Sequence, residues 1–220
     1  MAELSDVLKD VQASFAKKKT TKTLKEKVGL GSDLRELTEA DYIKLGPWWT
    51  DPTKTYGLPF GKLVTIAGTS DSGKSSVAIQ SMKAALEQGC GVIYAETENK
   101  TTEKDLKAWG VDPTQVIIVS SQIAEELYEL LFTTWDSYHS VFPDKPLLVI
   151  VDSIGNLISL RDEEIDLMEQ NSQPGGKGKA NRLGISKMIS KMSQSRTAVL
   201  LISYTYENMG SVGKTTAGGQ

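Results

Sequence analysis

An α/β fold built on a parallel sheet is what the 220-residue sequence predicts, and three observations carry that reading. From Leu58 onward, short runs of Val, Ile and Leu alternate with longer segments of helical periodicity, the pattern of repeated strand, helix, strand units. Most of these runs are continuous rather than alternating with polar residues, as strands buried on both faces require. A glycine-rich stretch lies between the first run and the first helix, where a ligand-binding loop at the carboxyl edge of such a sheet belongs.

Taken in order, residues 1–30 are predicted as a separate helical and basic segment. Leu4, Val7, Leu8, Val11 and Phe15 recur at spacings of three and four, which makes 2–16 an amphipathic helix. The lysine-rich run at 17–22 breaks that pattern and reads as a solvated connection. The apolar helix face requires a partner, and spacing alone does not choose between its own domain and another subunit. Residues 31–56 read as a linker with short pieces of structure, because Gly46-Pro47 and Asp51-Pro52 are turn signals. The Trp48-Trp49 pair reads as a cover for the edge of the core. Strands are expected at 63–67, 91–95, 116–119, 147–151 and 198–203. Helices fit at about 75–88, 103–109, 123–141 and 182–193, the third with Ile123, Leu127, Leu130, Leu131 and Trp135 on one side. The Pro-Gly-Gly-Lys-Gly-Lys stretch at 174–179 is expected to be mobile.

Composition sets outer limits. At 24.0 kDa with 39% hydrophobic and 24% charged residues, the chain can bury roughly 70% of its unfolded surface without a disulfide or metal staple. That excludes a chain disordered throughout, a collagen and a membrane protein, since no run approaches the ~18 apolar residues of a span. Acids at Glu3, Asp6 and Asp10 occupy the place where a signal peptide is basic and then apolar, so a cytoplasmic protein is expected. Cys90 stands alone, cannot form an internal disulfide, and is expected as a buried small hydrophobe. The net charge of −3 divides unevenly, for residues 1–30 carry seven Lys and four acids while the remainder is acidic. This balance excludes a globally basic nucleic-acid binder and leaves room for a local basic patch.

The chemistry concentrates in three places. Gly68-Thr69-Ser70-Asp71-Ser72-Gly73-Lys74-Ser75 fits the phosphate-binding pattern G-x-x-x-x-G-K-[ST], and Ser76 continues it into the helix. Small residues let the backbone N–H groups turn inward on a phosphate chain, and the helix start adds partial positive charge. Lys74 would bridge the outer phosphates and the Ser75 hydroxyl would hold Mg²⁺. The run Leu147-Leu148-Val149-Ile150-Val151 ends in Asp152, which places a carboxylate at the same edge to orient Mg²⁺ through water. The segment Tyr94-Ala95-Glu96-Thr97-Glu98-Asn99 brings a third acid there to activate an attacking water. Alternation puts Glu96 and Glu98 on the same side, so spacing does not separate them.

At these residues the chain resembles the RecA family of ATP-dependent recombinases, and most closely the T-even phage branch called UvsX. Gly57-Leu58-Pro59-Phe60-Gly61-Lys62-Leu63 resembles the lead into the family's phosphate loop (P-loop). Val151-Asp152-Ser153-Ile154-Gly155-Asn156-Leu157 is similar to its Mg²⁺-orienting strand, and Gly110-Val111-Asp112-Pro113 follows at family spacing. Thr205-Tyr206-Glu207 and Thr215-Thr216-Ala217-Gly218-Gly219 resemble parts of its second DNA-binding loop. The resemblance implies a P-loop NTPase core over 57–220 that binds ATP and Mg²⁺ and hydrolyses ATP in response to DNA, with Glu98 as the catalytic glutamate and Lys74 beside it. It further implies single-stranded-DNA loops at about 160–179 and 205–220, where Lys177, Lys179 and Lys214 would meet phosphates, and an amino-terminal helix that joins subunits into a filament or ring. Three features differ from the family. Tyr204 stands where the family commonly has Gln or His, no aromatic for adenine occurs at 102–106, and the chain stops at Gln220 inside the second loop. The stop is read as that of a fragment, a split-gene product or a truncated reading frame, and a complementary carboxyl-terminal piece is one partner this implies. A nucleotide-gated binding module with little turnover, or an inactive fragment, is the alternative.

Overall fold

Residues 34–164, 176–207 and 214–216, together with Val7, Lys9, Val11 and Ala13, are described in a computed structural model of the chain; the side chains at 162, 164, 177, 206, 207 and 214–216 are not. The chain divides into two units, 1–38 and 39–220. In the first, Val7, Lys9, Val11 and Ala13 are helical, within the helix expected at 2–16, and Val7 is exposed. The rest of that helix and the basic run lie outside the described residues.

In the second unit, continuous apolar runs form five parallel strands: β3 (Leu63–Gly68), β4 (Gly91–Glu96), β5 (Val116–Ser120), β6 (Leu147–Asp152) and β7 (Thr197–Glu207). They lie in the order β3-β7-β6-β4-β5. Helices α2 (Lys74–Glu87), α3 (Glu103–Ala108), α4 (Ala124–Val141) and α6 (Gly176–Met192) are interspersed with them, along with the short α5 (Leu160–Glu164). Successive residues of the central strands point to opposite faces, and both faces are covered. Val92, Tyr94, Leu148, Ile150, Leu200 and Ile202 pack with Ala78, Met82 and Ala85 of α2. Ile93, Ala95, Val149, Val151, Val199 and Leu201 pack with Leu127, Leu131 and Trp135 of α4 and Met188 and Met192 of α6. Each fully buried aliphatic side chain contributes about 1.5–3 kcal/mol. Leu130, expected on the buried stripe of α4, is 48% exposed.

Residues 39–56 differ from the expected linker. They form β1 (Tyr42–Lys44) and α1 (Pro47–Thr53), and β1 pairs antiparallel with β2 (Gly57–Pro59). Ile43 and Leu58 are fully buried in the same cluster as α2, so hydrophobic burial draws this segment into the core unit. Trp49 is buried and Trp48 is half exposed, at the edge of that cluster as expected. Cys90 is buried, and desolvation pushes its thiol up to about 11.

Two further expectations are corrected. Helix α6 begins at Gly176, six residues before the expected start, so part of the stretch read as mobile is helical. Tertiary bonds outweigh the glycines' low helix propensity. Asn181, fully buried, accepts from the Tyr128 hydroxyl at 3.0 Å and donates to the Ile154 carbonyl at 3.3 Å. A Cβ on Gly184 would lie 2.4 Å from the Tyr128 ring, so only glycine lets α6 approach α4 this closely. Strand β7 runs on to Glu207 and pairs antiparallel with β8 (Lys214–Thr216), where a loop was expected. Residues 165–175, 208–213 and 217–220 of the two expected DNA loops lie outside the described residues.

Candidate functional site

Parallel register assembles the site. Gly68 of β3 lies opposite Tyr204 of β7, and Glu96 of β4 lies opposite Asp152 of β6. The four strand ends therefore open on one edge of the sheet, the place where open α/β sheets bind ligands.

The glycine-rich loop leaves β3 at this edge and turns directly into α2. Gly73 caps that helix with φ 86°, a left-handed conformation that glycine adopts without steric cost, and Asp71 adopts φ 56° beside it. Ser72 Oγ donates to the Thr69 carbonyl at 2.8 Å and tightens the loop. Lys74 is buried; its Nζ donates to the same carbonyl at 2.5 Å and lies 4.3 Å from the centre of the Tyr204 ring. The ammonium thus has a backbone oxygen and a π face as partners, both exchangeable for a phosphate oxygen.

Ser75 Oγ donates to Asp152 Oδ2 at 2.8 Å, and the Tyr94 hydroxyl donates to the same oxygen at 3.2 Å. Burial pushes the Asp152 carboxyl above its ordinary range while these two hydrogen bonds pull it back. Burial, and then the charge of Asp152, push the Tyr94 phenol upward, so it stays a proton donor. A hydroxyl and a carboxylate in contact form a hard oxygen donor pair that fits Mg²⁺, which usually takes one or two protein oxygens and completes its shell with water and substrate phosphates. Among the described residues no group of three or more His, Cys, Asp or Glu could hold a metal ion.

Geometry separates the two glutamates that alternation left equivalent. Glu96 is buried, and its Oε1 accepts the backbone N–H groups of Glu98 and Lys100, each at 3.1 Å, so it ties the turn leaving β4. Glu98 turns toward the phosphate loop. Its Oε1 accepts from the Tyr204 hydroxyl at 2.5 Å and from Asn156 Nδ2, and its Oε2 pairs with Lys100. Partial burial works to raise the Glu98 carboxyl, but hydrogen bonds from Lys100, Tyr204 and Asn156 outweigh it and hold the group below the usual carboxylate range. Burial first, then the bond to Glu98, push the Tyr204 phenol up to about 12, so it remains a donor at neutral pH.

Two adjoining hollows of about 300 and 310 Å³ open here. One is lined by Ser70, Asp71, Ser72, Gly73, Lys74, Ser75 and Ser76 with Glu98, Lys100 and Tyr204. The other is bounded by Ser75, Tyr94, Asp152, Asp105 and Trp109, and shares Glu98 and Lys100. Larger hollows of about 410 and 670 Å³ lie elsewhere, between α4 and α6 and along α1 and β3, and lack the phosphate-loop groups. Chemistry, not size, marks the site.

The structure therefore brings together Gly68 to Ser76, Glu98 and Asp152 as the sequence predicts. Lys179 is exposed on the first turn of α6 and does not line either hollow; Lys177 and Lys214 fall in α6 and β8, with side chains outside the described ones. Lys100, Asn156 and Trp109 escaped sequence reasoning. Lys100 reaches the site from an irregular loop and Asn156 from a single 3-10 turn (Ile154–Asn156), both too short for periodicity to predict direction, and Trp109 sits just past the end of α3, beyond the positions searched for an aromatic.

Comparison with known proteins gives one family. The model of the RecA N-terminal domain matches residues 28–220. The chain is 25% identical over 154 residues to Protein RecA of Malacoplasma penetrans, covering 70% of this chain and 44% of that protein. It is 25% identical over 192 residues to Protein RecA of Mycoplasma pneumoniae, covering 86% and 55%. It is 26% identical over 168 residues to the plasmid Protein RecA of Lactococcus lactis, covering 74% and 46%. The chain spans about half the length of the curated relatives it matches. No helix among the described residues is long and apolar enough to cross a membrane.

Proposed function

The chain belongs to the RecA N-terminal domain family, and on that premise we propose that it is the ATP-binding and ATP-hydrolysing core of a single-stranded-DNA-dependent recombinase. The observation that carries the reading is the convergence of the phosphate loop, the Ser75–Asp152 pair and Glu98 on one edge of the sheet.

In this reading the backbone N–H groups of residues 70–75 bind the phosphate chain, and Lys74 exchanges the Thr69 carbonyl for phosphate oxygen. Ser75 and Asp152 would hold Mg²⁺, which neutralises charge on the outer phosphates. Glu98 orients a water whose oxygen attacks the γ-phosphorus. The bond from that phosphorus to the bridging oxygen breaks, ADP leaves with the bridging oxygen, and the water's proton passes to Glu98 and on to solvent.

Tyr204 links the chemistry to DNA. It bonds Glu98 and lies on β7 one residue before the segment that pairs with β8, in the stretch that resembles the second DNA loop. ATP then acts as a switch on DNA affinity, since the same strand touches the nucleotide site and carries the loop. Lys177, Lys179 and Lys214 would contact DNA phosphates, and residues 1–30 would join subunits into a filament. Within that family we place the chain with the UvsX branch, as the sequence resemblance implies.

The test is ATP hydrolysis with and without single-stranded DNA, beside Lys74→Ala. DNA-stimulated turnover that the substitution abolishes is expected. Turnover that survives the loss of Lys74 would overturn the site, and Mg²⁺-ATP binding without turnover would favour a nucleotide-gated binding module.

A further inference from the structure

We propose that Lys100 is a second phosphate-binding cation of the nucleotide site, supplied by the same chain, and that it moves from Glu98 to the terminal phosphate of a bound nucleoside triphosphate. The inference rests on the nucleotide-site reading above and adds to it a residue that the phosphate-loop pattern does not include.

Placement is the first argument. Among the described residues Lys100 is the only cation besides Lys74 that borders the loop-lined hollow, and it borders the adjoining hollow as well, so it stands where the two meet. Its root is fixed from several directions. The Lys100 N–H donates to Glu96, Asn99 at φ 52° bonds Ser120 through its side chain at 2.6 Å, and the Thr101 hydroxyl lies 3.2 Å from that of Tyr94. The Lys100 side chain itself is 76% exposed, whereas its partner Glu98 is only 13% exposed. A tethered root with a free four-carbon stem lets the ammonium change partners without moving the backbone.

Charge is the second argument. The Lys100 ammonium pairs with Glu98 through a hydrogen bond and charge, with Asp71 and Asp152 adding to the attraction. A terminal phosphate brings close to two negative charges, against one on Glu98 that is already shared with Tyr204 and Asn156. The phosphate is the stronger partner. Because Lys100 is bonded to the carboxylate proposed to face the γ-phosphorus, the phosphate within its reach is the terminal one, which a diphosphate lacks.

The exchange has a chemical result. Glu98 loses one donor and the cation paired with it, so it becomes a better acceptor for the water's proton, while Tyr204 and Asn156 keep it in place. The protein would thereby expose its base only when a third phosphate is present.

The test is titration calorimetry of the full chain with Mg²⁺-ATPγS and with Mg²⁺-ADP, comparing the unsubstituted protein, Lys100→Met and Lys100→Arg. The expected result is about a tenfold loss of ATPγS affinity in Lys100→Met, the size of one charge-assisted hydrogen bond. ADP affinity should change less than about twofold, and Lys100→Arg should recover most of the loss. Equal losses for both nucleotides, or none for either, would overturn the exchange while leaving the nucleotide site standing. Failure of the unsubstituted chain to bind either nucleotide would overturn the nucleotide-site reading and this inference with it. Because Lys100 is exposed, the thermal melting of Lys100→Met should match that of the unsubstituted protein, which separates a binding loss from a folding one.

Discussion

Replacing Tyr204 with Phe removes one oxygen and leaves the rest of the site in place. The ring that lies 4.3 Å from Lys74 Nζ is retained, while the 2.5 Å hydrogen bond to Glu98 is lost. A hydrogen bond to a charged acceptor contributes about 1.5–3 kcal/mol when well buried. Here two other donors remain on Glu98 and the side chain is slightly exposed, so the lower end applies. About 1.4 kcal/mol of lost positioning corresponds to roughly a tenfold fall in kcat. The direction with pH follows from the donors that stay on Glu98 when Lys100 turns to the phosphate, Tyr204 and Asn156, each of which lowers its carboxyl. A group with a depressed folded pKa is ionised, and contributes its stability, above its ordinary value, and that contribution is lost as pH falls through the folded pKa. Without the phenol the carboxyl rises, so the acid limb of kcat should move to higher pH. The assay is steady-state ATP hydrolysis with single-stranded DNA across the acid-to-neutral range. Lowered kcat, an unchanged KM for ATP and a displaced acid limb are expected. An unchanged acid limb together with unchanged kcat would refute the assignment of Tyr204 as a positioning residue for Glu98.

The remaining expectations concern the glutamate pair, the DNA contacts and the packing of α6. Glu98→Gln should bind Mg²⁺-ATP and lose turnover, whereas Glu96→Gln keeps an acceptor for the N–H groups of Glu98 and Lys100 and should retain most of its turnover; the reverse pattern in a hydrolysis assay would exchange their roles. Replacing Lys177, Lys179 and Lys214 together with Ala should weaken single-stranded-DNA binding and flatten its salt dependence by about 2 in log–log slope, at roughly 0.7 per phosphate contact; fluorescence anisotropy at several salt concentrations measures this, and an unchanged slope counts against these contacts. Gly184→Ala would place a methyl 2.4 Å from the Tyr128 ring and should cost about 1–3 kcal/mol in urea unfolding, with a wild-type midpoint ruling out the close approach of α6 to α4.

The five strands were legible because they are continuous apolar runs with helices between them, and such runs bury both faces whatever their neighbours. The phosphate loop was equally legible, since its glycine, lysine and serine occupy adjacent positions whose roles follow from a local turn. Asp152 could be placed at the right edge from the end of its strand alone. Other features depended on partners distant in sequence. Residues 39–56 lack periodicity, and only the burial of Ile43 beside Leu58 and α2 brings them into the core. The glycines at the start of α6 argue for a loop until Asn181 finds Tyr128 and the Ile154 carbonyl. Glu96 and Glu98 are equivalent by alternation; the backbone amides that one accepts, and the three side chains from separate segments that reach the other, tell them apart. Sequence by itself determined what is local, the period of each element and the chemistry of contiguous motifs. Tertiary structure decided which side chains share a carboxylate, because hydrogen bonding and burial depend on groups as far apart in the chain as Glu98 and Tyr204, which the register of β3, β7, β6 and β4 brings to one edge.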